Sequence, residues 1–303
     1  MNQVGLWIRA FRLRTLPLAF SCTGMGCVLS YTAEDYQWAA AVLAVITTLI
    51  LQILANLAND YGDSQHGVDN HHRLGPERLM QSGKVTRKAM RRMLFIFTTL
   101  SLVSGVALLL VSPAGWDARG GMFAAGIVAI LAALTYTAGK KPYGYYGFGD
   151  FFVFLFFGFT AVCGTFFLIT GGFQWNILLP ASTMGFFSTA VLNINNMRDI
   201  ANDAHNHKRT LAVILGSTGA KYYHTLLILL AFSAAILYTA IHYSGPLQLL
   251  FVFTIPLFMF SIYRVFATDN PKELDPELRK TAVYTLLFTV LFGVGMVAGM
   301  IPG

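Results

Sequence analysis

Charged residues are scarce in this chain of 303 residues, in which Asp, Glu, Lys and Arg together make up 12%. A soluble globular domain has about 25% charged residues, so the composition argues against a water-soluble enzyme. A disordered chain is also excluded, because such chains have low hydrophobicity, whereas 55% of these residues are hydrophobic and the mean hydropathy is +0.59. The apolar runs lack the polar and apolar alternation of membrane β-strands. The composition therefore predicts an integral membrane protein built of helices.

Cysteine is scarce as well. The three residues, Cys22, Cys27 and Cys163, lie within apolar runs, and none belongs to a CxxC pair. This pattern excludes a disulfide scaffold and a cysteine-based zinc site. The first 17 residues are basic and amphipathic, and no small-residue cleavage site follows the next apolar run. We therefore expect this segment to lie at the membrane interface before the first span, and not to be a removed signal peptide.

Nine apolar runs recur along the chain, most of them close to the ~20 residues that a helix needs to cross a bilayer. They cover residues 16–31, 38–57, 93–111, 122–137, 151–170, 177–194, 222–241, 247–262 and 282–301. A backbone in hydrocarbon must satisfy its own hydrogen bonds, so these spans are expected to be α-helices. We predict an all-α integral membrane fold with nine transmembrane helices. It forms one domain over 1–303, with two weakly related halves at about 1–150 and 151–303.

The distribution of Lys and Arg predicts the orientation in the membrane. If the N-terminus lies inside, 20 of the 21 Lys and Arg residues fall in inside segments, and Arg119 is the exception. This is the positive-inside pattern of membrane proteins, and it predicts an N-in, C-out topology. The net charge of +7 then reflects topology and anionic ligands or lipids, and it does not indicate nucleic acid as a partner.

Two polar segments follow the second and the sixth predicted spans. The first covers residues 56–84 and the second covers 192–210; each begins where an apolar span ends and has Asn as its first or second residue. In the second, Asn195, Asp199 and Asp203 form an every-fourth-residue series. On a helix this spacing places the three side chains on one face, roughly 6 Å apart.

The first polar segment repeats the spacing, with Asn56 four residues before Asp60 and Asn59 four before Asp63. Like charges at this spacing repel, so we expect a bound cation to compensate them. Hard divalent cations prefer oxygen ligands, and Mg²⁺ typically combines one or two carboxylates with substrate phosphate. Two such clusters facing each other predict two Mg²⁺ ions around one diphosphate.

Basic residues accompany both polar segments and are suited to phosphate oxygens. They are Arg198, Lys208 and Arg209 in the second segment, and Arg73, Arg78, Lys84 and Arg87 in or after the first. A single segment of Asn and Asp at a helix end is commonly a cap or a solvated loop. Two segments at matching positions favour a functional site.

Two further loops are predicted on the inside. The loop at 136–150 is rich in Tyr and Gly and carries Lys140 and Lys141. It is either an interfacial aromatic belt with inside lysines or a substrate loop that brings Lys to phosphate and Tyr hydroxyls to an oxygen. The loop at 269–281 mixes both charges and is predicted to be a solvated connector.

These motifs resemble those of the UbiA superfamily of membrane prenyltransferases, over essentially the whole chain. The family's first motif, Asn-Asp-x-x-Asp with a later Asp, corresponds to residues 59–63 and Asp69, and its second, two Asp four apart, to Asp199 and Asp203. The six-residue step from Asp63 to Asp69 is similar to the 1,4-dihydroxy-2-naphthoate polyprenyltransferase branch of menaquinone biosynthesis. The sequences RTLPLAF, YTAGKKPYGYYGFGD and NNMRDIANDAHNHKRTLAVILG resemble that branch too.

The resemblance implies a helical bundle around a central cavity that opens sideways to membrane lipid. It implies Mg²⁺ as the cofactor, a long allylic polyprenyl diphosphate as the donor and 1,4-dihydroxy-2-naphthoate as the acceptor. Diphosphate and CO₂ would be released and demethylmenaquinone formed. It also implies a location in the bacterial cytoplasmic membrane, with the active site facing the cytoplasm.

The resemblance implies residue roles as well. Mg²⁺ ligands are expected at Asn59, Asp60, Asp63, Asp69, Asp199 and Asp203, and the catalytic set combines Asp60, Asp63, Asp199 and Asp203 with Tyr136 and Tyr143. Substrate-binding residues are expected at Asn56, Asn59, Asn195, Asn196, Arg198, Lys208, Arg209, Lys141, Arg14 and Arg78. Of these, Arg14 and Arg78 are assigned to the acceptor's carboxylate.

Two alternatives stay open. One is a UbiA-type enzyme with another aromatic acceptor, such as 4-hydroxybenzoate, and the late position of Asp69 argues against it. The other is a transporter of cations or organic anions. Transporters usually place their polar site near the middle of the membrane, whereas these acids lie at the ends of the spans.

Overall fold

The computed structural model describes residues 3–31, 36–68, 73–76, 78–140 and 142–299. Within these ranges the regular elements are all helical, which confirms the all-α prediction. The helices are α1 Gln3–Ala10, α2 Leu16–Ser30, α3 Trp38–Gln65, α4 Arg87–Val111, α5 Trp116–Thr135, α6 Gly149–Thr170, α7 Leu178–Arg198, α8 Ile200–His205, α9 Leu211–Ile241, α10 Pro246–Ala267 and α11 Leu274–Ala298. Short 3₁₀ turns precede several of them, and α6 contains a π-helical stretch over Phe154–Cys163.

Eight of the described helices, α3 to α7 and α9 to α11, are long and apolar enough to cross a membrane. The ninth predicted span forms α2, whose 15 residues are fewer than a full crossing needs. The helix is short because a left-handed residue, Arg12, and a 3₁₀ turn over Leu13–Thr15 precede it. All nine predicted spans therefore form helices. Because α2 is short, the predicted number of nine membrane crossings is approximate.

The outer surface of the bundle is apolar. Phe95 and Leu110 of α4 and Val128 of α5 are each more than half exposed. Exposed apolar surface of this extent marks a protein or membrane contact, and on long apolar helices it faces lipid. The chain is a multi-pass membrane protein.

An aromatic cluster anchors α7, the most buried of the membrane helices. Phe187 of α7 stacks on Phe258 of α10 with ring centroids 4.4 Å apart, and it meets Phe288 of α11 edge-on at 5.1 Å. Such aromatic pairs stabilise a core beyond the area that they bury. The cluster therefore fixes α7 and, with it, the polar segment at its C-terminal end.

The first polar segment is positioned by a close approach of α3 to the chain that follows α5. A Cβ atom on Gly62 would lie 2.5 Å from the carbonyl carbon of Thr137 and 2.6 Å from the backbone nitrogen of Ala138. Only glycine permits this distance. The last turns of α3 therefore lie directly against the start of the Tyr-rich loop.

Both membrane helices that lead into the polar segments run further than the sequence predicts. Helix α3 continues to Gln65 and α7 to Arg198, because polar side chains in their last turns find buried partners. The second polar segment is not one straight helix. Asp199, at φ −99° and ψ 11°, separates α7 from α8, although the backbone N–H of Asp203 still donates to the Asp199 carbonyl at 2.8 Å.

Candidate active site

A cavity of about 400 Å³ lies among helices α2 to α7. Its walls are mostly apolar and include Leu102 of α4, Ile127 of α5 and Phe156 of α6. Many of its polar lining residues belong to the last turns of α3 and α7 and to the loops beside them: Asn56, Asn59, Asp63, Arg78, Tyr136, Tyr143, Asn195, Asn196 and Lys208. An apolar compartment thus adjoins residues from both polar segments.

Asp63 has three side-chain partners at the end of α3. Arg78 donates from Nη1 to its Oδ2 at 2.5 Å, and the Tyr145 hydroxyl donates to its Oδ1 at 2.6 Å. The Lys208 Nζ lies 3.9 Å from the same Oδ1. Asp63 is only 1% exposed, and these two cations and one hydroxyl stabilise its charged form.

The other polar residues of α3 are held mainly by backbone groups. The buried Asp60 accepts from the backbone N–H groups of Leu79 at 3.2 Å and Met80 at 3.3 Å. Asn59 Oδ1 accepts from the Thr137 hydroxyl at 3.3 Å.

Asn56 fastens the N-terminal region to the same helix. Its Nδ2 donates to the Phe11 carbonyl at 3.0 Å and to the Thr15 hydroxyl at 3.1 Å. Asn56 and Asn59 line the cavity, whereas Asp60 lines a separate one next to α1.

Lys208 connects the second polar segment to the first. Its Nζ lies 3.8 Å from Asp203 Oδ1, in addition to its contact with Asp63. Burial raises the pKa of Asp203 to about 6, and the charge of Lys208 opposes this rise. A second link joins the segments nearby, because Asn202 Nδ2 donates to the Val68 carbonyl at 2.9 Å.

Arg198 organises the rest of the second polar segment and is fully buried. It donates to both carboxylate oxygens of Asp199, at 3.2 and 2.6 Å, and to Asn195 Oδ1 at 2.8 Å. It also donates to Asp275 Oδ1 at 2.5 Å, and Arg14 donates to both oxygens of Asp275. Burial raises the pKa of Asp199, but the hydrogen bonds and charge of Arg198 outweigh it and leave that pKa below its usual value.

Tyr136 and Tyr143 line the cavity together, with ring centroids 5.2 Å apart. The Tyr143 hydroxyl donates to the Ala132 carbonyl at 2.9 Å. Burial raises the pKa of both phenols above the usual range, so both stay neutral.

Asn196 is buried and lines the cavity. Three other predicted substrate-binding or metal-binding residues lie at the edge of this arrangement or outside the described residues. Arg209 is exposed, and its backbone N–H donates to the Tyr145 carbonyl at 2.9 Å. Asp69 and Lys141 lie outside the residues that the structure describes, so their predicted roles stay predictions.

The carboxylates are held by cations and backbone groups and do not converge on an open metal site. In the part of the chain that the structure describes, no group of three or more His, Cys, Asp and Glu side chains could hold a metal ion. Asp63 and Asp203 nevertheless fit Mg²⁺, because both are buried and approach one cation, the Lys208 ammonium, from opposite polar segments. Two carboxylates are what Mg²⁺ typically takes beside substrate phosphate, and the Asn59 amide could supply a further oxygen.

The structure places two residues in the site that the sequence does not single out. Tyr145, which bonds to Asp63, stands in the Tyr-rich loop, but the sequence does not distinguish its hydroxyl from those of Tyr143 and Tyr146. Asp275 falls in the loop predicted to be a solvated connector, and it instead joins Arg14 to Arg198. No local pattern signals this contact, because it joins the first and last parts of the chain.

A model of the UbiA prenyltransferase family matches residues 19–284. The chain therefore belongs to the UbiA prenyltransferase family, and the resemblance of its two Asp motifs to that family is confirmed.

Two bacterial relatives with similar sequences share a name. The chain is 39% identical over 306 residues to the 1,4-dihydroxy-2-naphthoate octaprenyltransferase of Haemophilus influenzae, and the match covers 98% of this chain and 97% of that protein. It is 39% identical over 287 residues to the protein of the same name from Escherichia coli K12, with coverage of 95% and 93%. The similarity therefore spans nearly the full length of each protein.

Solved structures of two archaeal proteins share the fold. The apo structure of a UbiA homolog from Aeropyrum pernix K1 superposes with a TM-score of 0.71 at 14% identity, covering 96% of this chain and 99% of that one. A UbiA homolog from Archaeoglobus fulgidus bound to GPP and Mg²⁺ gives 0.57 at 15% identity, with coverage of 95% and 99%. The predicted UbiA-type helical bundle is thus confirmed.

Proposed function

We propose that this protein transfers a polyprenyl group from an allylic polyprenyl diphosphate to 1,4-dihydroxy-2-naphthoate, releasing diphosphate and CO₂ and forming demethylmenaquinone. The observation that carries the proposal is the approach of Asp63 and Asp203 to Lys208 beside one large apolar cavity. The names of the two relatives at 39% identity support the naphthoate acceptor.

Mg²⁺ is the proposed cofactor, with two ions per site. Asp63 and Asp203 would hold it, supported by Asn59, Asp60 and Asp199, and by Asp69 outside the described residues. When bound, Mg²⁺ would stabilise the negative charge that develops on the departing diphosphate. The solved Archaeoglobus fulgidus homolog, which was bound to GPP and Mg²⁺, supports this assignment.

The chain's own cations complete the diphosphate site in this proposal. Lys208 lines the cavity and donates to a phosphate oxygen once the donor substrate occupies the site. Arg209 is proposed to bind the same anion, and so is Lys141, which lies outside the described residues. Because Arg198 is engaged by Asp199, Asn195 and Asp275, its proposed role is to hold these side chains in place.

The apolar cavity accommodates the isoprenoid chain and excludes water from the allylic cation that forms as diphosphate leaves. The neutral rings of Tyr136 and Tyr143 line this cavity, and the negative face of an aromatic ring attracts a cation. We therefore propose that both tyrosines border the reacting carbon. The carboxylate of the acceptor pairs with Arg78, which lines the cavity, and Arg14 supports it from the N-terminal side.

We further propose that the protein lies in the bacterial cytoplasmic membrane with this site on the cytoplasmic side. The site draws its polar residues from the segments that hold nearly all Lys and Arg residues of the chain. The positive-inside pattern places such segments in the cytoplasm.

The proposal is tested with purified protein in detergent, supplied with a polyprenyl diphosphate, Mg²⁺ and equal amounts of 1,4-dihydroxy-2-naphthoate and 4-hydroxybenzoate. We expect mass spectrometry to detect a prenylated naphthoquinol without its carboxyl group, and EDTA to abolish it. Prenylated 4-hydroxybenzoate as the main product would refute the naphthoate acceptor and retain prenyl transfer. Absence of both products from folded protein would refute prenyl transfer to either acceptor.

A further inference from the structure

The reaction cavity has a polar wall on α3 that continues beyond the two Asp motifs. Thr48, Gln52 and Asn56 line the cavity at four-residue intervals, a spacing that places their side chains on one face of a helix. The lining residues that α5 contributes, such as Met122 and Ile127, are all apolar or glycine. The isoprenoid chain of the donor has no group that could form a hydrogen bond with the α3 face. This face is therefore suited to a polar ligand.

The partners of Asn56 fix the orientation of its amide group. The Phe11 carbonyl can only accept a hydrogen bond, so Asn56 presents its Nδ2 to it, at 3.0 Å. The Oδ1 of Asn56 then accepts from Gln52 Nε2 at 3.4 Å. Amide orientations are assigned from hydrogen-bond networks of this kind. Gln52 therefore faces Asn56 with its nitrogen.

Thr15 imposes the same orientation on Gln52. The Thr15 hydroxyl donates its single hydrogen to the Arg12 carbonyl at 2.9 Å, so towards Gln52 its oxygen acts as an acceptor. Gln52 Nε2 donates to it at 3.3 Å. Both hydrogens of the Gln52 amide are thus used, and its Oε1 is the atom that turns away from these partners. Within the described ranges of the chain, no residue donates to this oxygen.

A carbonyl oxygen in an apolar cavity selects its ligand by chemistry. It repels the oxygens of a phosphate or a carboxylate, which are acceptors as well. A buried acceptor without a donor costs free energy, so a ligand that supplies a donor is favoured. Phenolic hydroxyls are such donors. Of the two substrates in the proposed function, the aromatic acceptor alone carries them.

The position of Gln52 selects one of the two hydroxyls of the acceptor. Arg78, the proposed partner of the acceptor's carboxylate, donates to the Asn59 carbonyl at 2.9 Å. Gln52 lies seven residues before Asn59, which is roughly 10 Å along the helix. The 1-hydroxyl is on the ring carbon next to the carboxylate, whereas the 4-hydroxyl is on the far side of the same ring. The 4-hydroxyl is therefore the one directed towards Gln52.

We propose that Gln52 Oε1 accepts a hydrogen bond from the 4-hydroxyl of the acceptor and so determines specificity for a dihydroxylated, reduced ring. The identity of the acceptor rests on the proposed function. An oxidised ring carries a carbonyl at this position and has no hydrogen to donate. A ring without the 4-hydroxyl leaves the oxygen of Gln52 unpaired. Both are expected to bind more weakly.

The test measures dissociation constants without turnover. Full-length protein in detergent is saturated with Mg²⁺ and a non-cleavable thiolo analogue of geranyl diphosphate. Anaerobic calorimetry then compares 1,4-dihydroxy-2-naphthoate with 1-hydroxy-2-naphthoate, which lacks the 4-hydroxyl. We expect the wild-type protein to bind the dihydroxy compound about tenfold more tightly, the effect of one hydrogen bond. In Gln52→Leu we expect this preference to disappear, with little change for 1-hydroxy-2-naphthoate.

The ratio of the two constants separates recognition from support of Asn56. If Gln52 acts only through Asn56 and Thr15, Gln52→Leu weakens both ligands in parallel and the tenfold preference remains, which would overturn the proposal. Gln174→Leu is the matched control, because Gln174 is exposed and outside the cavity lining; it should keep the preference. Thermal unfolding verifies that each variant is folded.

The wild-type comparison needs no variant. Equal binding of the two naphthoates, or no binding of the dihydroxy compound, would overturn the role of Gln52 even if Gln52→Leu failed to fold. A separate assay of prenylated product reports on the proposed function. Product formation together with equal binding would refute the role of Gln52 alone, whereas a tenfold preference without any product would refute prenyl transfer and retain this binding contact.

Discussion

Asp63 and Asp203 share one cation, since their Oδ1 atoms lie 3.9 and 3.8 Å from the Lys208 ammonium. The two acids belong to different polar segments, at the ends of helices from different halves of the chain. Two buried carboxylates close together repel, and a cation between them stabilises both charges. In the proposed function, Mg²⁺ and a diphosphate would bring further positive and negative charges to this position.

Replacing either shared acid is expected to disable the enzyme. Asp63→Asn and Asp203→Asn each remove a negative charge beside the Lys208 ammonium. We expect kcat/KM for the prenyl diphosphate to fall by about 100-fold or more, because losing one group that stabilises charge in a transition state typically has an effect of this size. The measurement is steady-state product formation by mass spectrometry at saturating naphthoate. The matched control is Asp269→Asn, the same change at an exposed position in the loop before α11, which should keep full activity. Full activity in both site variants would contradict the shared-cation account.

Tyr145→Phe tests the hydroxyl that orients Asp63. Loss of the 2.6 Å hydrogen bond leaves the ring in place but frees the carboxylate to rotate. Residues that orient a metal ligand typically contribute about 10- to 100-fold in metal affinity or activity, so the Mg²⁺ concentration for half-maximal activity should rise about tenfold. Tyr146→Phe is the control, because its side chain is exposed. An unchanged Mg²⁺ dependence in Tyr145→Phe would rule out this orienting role.

Asp275→Asn tests the link between the two ends of the chain. The variant leaves the fully buried Arg198 guanidinium and Arg14 with weaker acceptors. Hydrogen bonds to charged groups contribute about 1.5–3 kcal/mol each to the free energy of unfolding. Because Asp275 is partly exposed, we expect the variant to lose an amount near the lower value. Thermal unfolding in detergent should show a lower midpoint than in Glu273→Gln, which alters an exposed ion pair with Arg264 at 3.8 Å. Equal midpoints would show that Asp275 is dispensable.

Gly62→Ala tests the close approach of α3 to the Tyr-rich loop. The added methyl group would overlap Thr137 and Ala138, and overpacking of this kind costs about 1–3 kcal/mol. We expect a lower unfolding midpoint and reduced activity, because Asp63 shares the affected turn. Gly121→Ala serves as the control, since nothing lies within 4 Å of its added methyl group. A Gly62→Ala protein as stable as the Gly121→Ala protein would contradict the observed packing.

Much of the fold could be predicted because its signals are local. Long apolar runs specify membrane helices, and both Asp motifs are short enough to recognise. The helix ends could not be predicted, because the last turns of α3, which reaches Gln65, include Asp63 and its contacts with the distant Arg78 and Tyr145. Similarly, the helix is interrupted between α7 and α8 at Asp199, whose carboxylate pairs with Arg198.

The partners within the site could not be predicted for a related reason. Opposed acidic clusters predict a bound cation, but the spacing does not reveal that Lys208 itself lies between Asp63 and Asp203. The same holds for Asp275, whose mixed-charge loop is typical of a solvated connector. Such contacts depend on how distant helices pack.

The most direct test of the central claim follows the carboxyl carbon of the acceptor. Purified protein is given a polyprenyl diphosphate, Mg²⁺ and 1,4-dihydroxy-2-naphthoate labelled with ¹³C in its carboxyl group, and both gas and lipid products are analysed by mass spectrometry. The account predicts one labelled CO₂ for each prenyl group transferred and an unlabelled prenylated ring. A prenylated product that retains the labelled carboxyl group, or labelled CO₂ released without prenyl transfer, would contradict it.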